Sequence, residues 1–140
     1  MNDVVINKVQ SIQRCVRRAH EEHTLAGEHF ATDFSRQDAA ILNITRACEQ
    51  AIDLANVVIK VHKLGIPNQS RESFSLLASA KLIPEDLSHK LQRMVGFRNV
   101  VIHEYQQVEV NIIEAVIVSE LNNLLLFTDV VVQHFKPKEG

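Results

Sequence analysis

Apolar residues recur every three or four positions along most of this chain, the spacing of one helix face and not the alternation of a strand. In the first segment, about residues 2–25, Val5, Val9, Ile12, Val16 and Ala19 form one such stripe. A second stripe of Ile41, Ile44, Cys48, Ala51, Ala55 and Val58 runs through about residues 36–64, with Ile52 and Leu54 widening it. Its small residues, Ala51 and Ala55, let a neighbouring helix come close. Leu87, Leu91, Met94 and Val95 predict the buried face of a later helix. The last segment, about residues 108–134, carries apolar residues on more than one face, among them Ile113, Ile117, Leu121, Leu124, Phe127 and Val131. A helix of that kind is buried on more than one side, which suggests a segment shared between the core and a dimer contact. Its β-branched content also suits strands at 116–118 or 130–132, but its length and lack of turn residues favour helix.

Breakers divide these periods. Gly27 lies in a connection over residues 26–34, and Ser35 with Asp38 forms a possible capping box for the second helix. Gly65 is placed to end that helix and Pro67 prevents its continuation. A short helix is predicted over about 71–81. Pro84 suits a first helical position, with Glu85 and Asp86 in the first turn to meet the helix dipole. Gly96 lies just before the candidate segment that begins at Arg98, and Pro137 and Gly140 mark a frayed tail from about residue 136. No repeat is evident. The expected fold is a single all-α domain over residues 1–140, an up-and-down bundle of four to five helices that dimerises.

Composition narrows the partners. The chain has 140 residues, 46% of them hydrophobic and 23% charged, which is enough apolar material for one core. A formal net charge of -2 excludes a general polyanion binder, so any nucleic-acid contact must come from a local basic patch. The N-terminus has no basic region followed by an apolar core, and no apolar run reaches the ~18 residues a membrane helix needs. Glu114, Glu120, Asn122, Asn123 and Asp129 break the longest tract. The expectation is a soluble, cytoplasmic protein with no membrane partner. Cys15 and Cys48 fall on or beside apolar stripes and read as buried thiols, with a single disulfide left open.

Candidate chemistry concentrates in one place. His20 and His23 are three apart, not the four of a zinc-binding helix, and no third ligand is spaced to help, so no metal site is expected. There is no glycine-rich phosphate loop and no nucleophile elbow. The segment Arg98-Asn99-Val100-Val101-Ile102-His103-Glu104-Tyr105 is different, with polar groups on either side of three apolar residues that would anchor it to the core. Cleaving RNA without a metal requires a group that exchanges protons near neutrality, and histidine is that group. It also requires a fixed cation for charge building on the phosphate, which suits arginine's planar fork. Five residues apart on a helix, Arg98 and His103 point roughly 140° away from each other. They converge only if the helix breaks between them or a second subunit completes the site. Taken alone, the spacing also fits ordinary cations near a helix C-terminus.

Arg98, Asn99, His103 and Tyr105 together form an Arg-x4-His-x-Tyr pattern that resembles the HEPN ribonucleases of the HepT type, and Met94-Val95-Gly96-Phe97 resembles that family's lead-in. The resemblance implies a dimeric helical toxin acting as a metal-independent endoribonuclease on cellular RNA, with no cofactor. It assigns His103 as acid or base, Arg98 as the phosphate-binding cation and Asn99 as an orienting residue. It also implies an MntA-like nucleotidyltransferase antitoxin that silences the toxin by adenylylating Tyr105. Asp53 falls in the family's second long helix, where it either supports Arg98 or His103 or pairs elsewhere. Arg14, Arg17 and Arg18 either guide RNA or form a solvated helix face. The alternative function is a non-catalytic helical subunit that presents a substrate or nucleotide to a nucleotidyltransferase.

Overall fold

Each apolar stripe becomes the buried side of a helix. In the computed structural model, which describes residues 3–104 and 108–135, α1 spans Asp3–Ala26, α2 Phe34–His62, α3 Ser70–Ser79 and α4 Glu85–Glu104. A last continuous helix, Val110–Phe135, consists of α5 (Val110–Ala115), a π-helical turn (Val116–Glu120) and α6 (Leu121–Phe135). No strand occurs among the described residues, so the strand alternative for the last segment is excluded there. Tyr105 and the expected tail from residue 136 lie outside the described residues.

Lys8 meets Asp53 and Glu22 meets Arg36, so α1 and α2 run antiparallel. Cys48 meets Met94, and Ile41 shares a groove with Ile102, so α2 and α4 do the same. The last helix packs against α1, α2 and α4, and its buried residues include Ile113, Ile117, Leu121, Leu124, Phe127 and Val131. Phe74 of α3 and Phe127 stack edge to face at 5.4 Å. The steps Ile113, Ile117 and Leu121 are two successive fours, which would drift about 80° around an ideal 3.6-residue helix. The wider π turn absorbs the extra residue and keeps the stripe on the core.

Several local expectations need correction. Asp33, not a Ser35–Asp38 box, caps α2: its Oδ1 accepts from the Arg36 backbone N–H at 3.1 Å. The helix already begins at Phe34, so Ser35 lies inside its first turn. Gly65 does not end α2. Lys63 does, in the left-handed region at φ 55°, with Lys63 N–H bonding Lys60 O and Leu64 N–H bonding Ile59 O. Pro84 stands one position before the first residue of α4, its carbonyl accepting from Ser88. Gly96 lies inside α4. Val110–Phe135 is long and apolar enough to cross a membrane, contrary to expectation, because its charged residues are few. In this fold it is a core helix of the bundle, with Glu114 paired to His23 at 3.1 Å and Glu120 to Arg93 at 3.7 Å. Cys15 and Cys48 are both buried and free, which removes the disulfide alternative.

Candidate active site

The segment singled out by sequence is the C-terminal half of α4. That helix is unbroken through Glu104, so Arg98 and His103 keep their angular separation within one chain. Of the three apolar residues between them, only Val101 is buried, while Val100 and Ile102 are each 49% exposed. Three consecutive helical residues span a wide arc, and one of them can face the core. Asn99 and His103 are exposed on the outer face.

Arg98 turns the other way. It is half-buried, and its Nη2 donates to Ser70 Oγ at 3.5 Å. Its Nε is buried without a hydrogen-bond partner among the described residues, a donor that costs about 1–3 kcal/mol to leave unpaired. Beneath it lies Cys48, whose thiol donates to Met94 O at 3.9 Å. Burial pushes the Cys48 thiol up to about 12, and the positive charge of Arg98 partly opposes that rise. Helix α3, which supplies Ser70, is held on both sides. Ser73 Oγ donates to Asn56 Oδ1 of α2 at 2.7 Å, and Ser88 Oγ of α4 donates to Phe74 O at 3.0 Å. Gly96 lies beneath the side chain of Arg71.

Asp53 does not join this group. Its carboxylate lies 3.4 Å from Lys8 Nζ and its side chain is 52% exposed. Five residues from Cys48, it projects roughly 140° around α2 from the thiol that meets Arg98. The three N-terminal arginines also separate. Arg14, Arg18 and Arg46 line a polar cavity of about 490 Å³ between α1 and α2, together with Ser11, Cys15, Asn43, Gln50 and one carboxylate, Glu49. Arg17 lies outside it, 3.9 Å from Glu21. Arg46, Ser70 and Arg71 were not identified from sequence, because only the packing of separate helices brings them to these places. A glycine in mid-helix was the one available sign of a close approach at Arg71.

A shallow, mostly apolar groove of about 520 Å³ lies along the segment, between Ile41, Leu42 and Thr45 of α2 and Val101 and Ile102 of α4, with Asp38 of α2 also on its wall. Leu42 and Ile102 are each 49% exposed along it. Among the described residues no cluster of three or more His, Cys, Asp or Glu is placed to hold a metal ion.

Comparison with known proteins bears on this geometry. The family model described as "Ribonuclease HepT-like" matches residues 8–131. The mRNA nuclease HepT of Shewanella oneidensis is 43% identical over 131 residues, covering 94% of this chain and 98% of that protein. A solved structure of the tri-AMPylated Shewanella oneidensis HEPN toxin in complex with MNT antitoxin superposes with a TM-score of 0.90 at 41% identity, over 95% of this chain and 99% of that one. A toxin–antitoxin crystal structure with AMP-PNP gives a TM-score of 0.89 at 41% identity, over 94% and 99% of the two chains.

Proposed function

The chain belongs to the HepT-like ribonuclease family, and from that premise we propose that it is the toxin of a toxin–antitoxin pair, a metal-independent endoribonuclease acting on mRNA through Arg98 and His103. The observation that carries this reading is the complete Arg98, Asn99, His103 and Tyr105 sequence pattern, of which Arg98, Asn99 and His103 lie on a helix that leaves Asn99 and His103 open to solvent. His103 moves the protons: one off the attacking 2′-hydroxyl, one onto the departing 5′-oxygen. Arg98 supplies a positive charge at the start of the segment, with one long hydrogen bond to Ser70 and its Nε shielded from water. Arg14, Arg18 and Arg46 supply a basic cavity for the RNA backbone at a distance from the chemistry. Arg17, paired with Glu21, takes no part in it.

Because one chain holds Arg98 and His103 on diverging faces, the active form is a homodimer in which two copies of the segment share a cleft. The exposed Leu42 and Ile102 beside His103 give that second copy an apolar seat. Off-switching falls to Tyr105. A nucleotidyltransferase antitoxin joins the tyrosine oxygen to the α-phosphorus of ATP, with pyrophosphate leaving. The resulting phosphodiester competes with RNA for nearby arginines and fills the cleft.

The test is cleavage of an mRNA by the purified protein in excess EDTA. Wild type is expected to cut, and Arg98→Ala and His103→Ala are each expected to lose at least a hundredfold in rate with unchanged thermal midpoints. Absence of cleavage by folded wild type would favour the non-catalytic subunit instead.

A further inference from the structure

Gly96 stands in the middle of α4, where glycine costs about 1 kcal/mol relative to alanine. A methyl group there would collide with the guanidinium of Arg71, so that side chain lies against the α4 backbone at this point. The glycine makes room for an arginine from another helix. Counting 100° per residue, Gly96, Asn99 and His103 fall within roughly 60° of one another, whereas Arg98 lies roughly 200° from Gly96. Arg71 therefore meets α4 on the stripe that carries His103, about 10 Å along the axis from it, the stripe Arg98 turns away from. Helix α3 is pinned to both α2 and α4 through Ser73 and Ser88, which fixes the backbone position of Arg71, while its side chain is exposed and reaches across to Gly96. Among the described residues no carboxylate is paired with Arg71.

We propose that Arg71 is a phosphate-binding residue of the RNA site, the cation that serves the His103 face within a single chain. A guanidinium with no carboxylate partner among the described residues offers two parallel N–H donors to a phosphodiester. Its nearest stripe neighbour, Asn99, adds a neutral donor. This assignment rests on the reading that His103 acts on RNA.

Two substitutions separate charge from packing. Arg71→Met keeps an unbranched stem over Gly96 and removes the cation. Gly96→Ala keeps the cation and drives it off the stripe, while alanine favours the helix. KM and kcat for a short labelled RNA are measured together with its binding by fluorescence anisotropy across a salt series. Both variants are expected to raise KM at least tenfold. Arg71→Met should also lower the salt slope of binding by about one contact, and Gly96→Ala should melt no lower than wild type. Arg71→Lys should recover part of the loss. If Arg71→Met matches wild type in KM and salt slope, Arg71 is only a packing residue and the inference fails. If wild type binds the RNA without cleaving it, the ribonuclease reading fails instead. Arg71 is then judged on binding alone, and a wild-type affinity in Arg71→Met overturns its assignment.

Discussion

Lys63 and Lys81 both hold positive φ angles, 55° and 62°, where a side chain usually gives way to glycine. The hydrogen bonds explain why the chain accepts this. After α3, Lys81 N–H bonds Ala78 O and Leu82 N–H bonds Leu77 O, repeating the pattern that Lys63 and Leu64 make after α2. Leu64 and Leu82 then fold back onto the core. The closing bonds and the apolar contact outweigh the strain. Replacing either lysine by glycine should relieve it and raise stability by about 0.5–1 kcal/mol. In urea titrations the midpoint should move up with the slope unchanged, and an unmoved or lowered midpoint would show that the lysine side chains contribute more than the strain costs. Position 65 carries the glycine one expects of a helix end, yet it falls two residues after the residue that ends α2. Which residue enters the left-handed region is decided by where Leu64 can reach the core, and local composition does not encode that.

At the scale of elements, the α2–α4 seam joins stability to the site. Cys48 lies buried there between the Met94 carbonyl and Arg98. Its thiol stays protonated in the fold to about 12, against an ordinary value of 9.0. The stability this contributes is present below about pH 9 and is lost as pH rises towards 12, since the unfolded chain releases that proton first. Wild type should therefore lose stability between about pH 9 and 10.5 more steeply than Cys48→Ala, by close to one proton per molecule. Parallel slopes in the two proteins would mean the thiol is not held neutral by the seam. The helices on either side were legible from their periods, because Leu87, Leu91, Met94 and Val95 repeat at helical spacing and all four are buried. The π turn at Val116–Glu120 was not. Two consecutive steps of four occur in ordinary helices too, and only the requirement to keep Ile113, Ile117 and Leu121 on one core forces the wider turn.

For the whole molecule, the decisive feature is the divergence of Arg98 and His103 on an unbroken helix. If Arg98 and His103 act together as proposed, a single chain needs either a second copy or another cation, and the candidates are the groove at Leu42 and Ile102 and the approach of Arg71 to Gly96. If the proposed homodimer forms across this groove, a charge placed there should separate the copies. Leu42→Glu and Ile102→Glu are each expected to weaken dimerisation by about 3 kcal/mol, roughly a hundredfold in Kd, because a carboxylate would be buried unpaired. Sedimentation at micromolar concentration reads this directly. An unchanged mass in both variants would place the dimer contact elsewhere, with the outward residues of the last helix, Val118 and Leu126, next to be tested.

The sequence by itself determined the helices, their buried faces and the segment to which we assign the chemistry. Each of these depends on residues close along the chain: a 3.6-residue period, or four side chains within eight positions. Only the tertiary structure decided which side chains meet across helices. It separated Asp53 from the site and paired it with Lys8, replaced Arg17 by Arg46 in the basic cavity, set Ser70 against Arg98 and laid Arg71 over Gly96. The physical reason is that a helix's period states which residues face inward but not what stands opposite them. That depends on helix order, crossing geometry and cap position, which the chain settles only by packing.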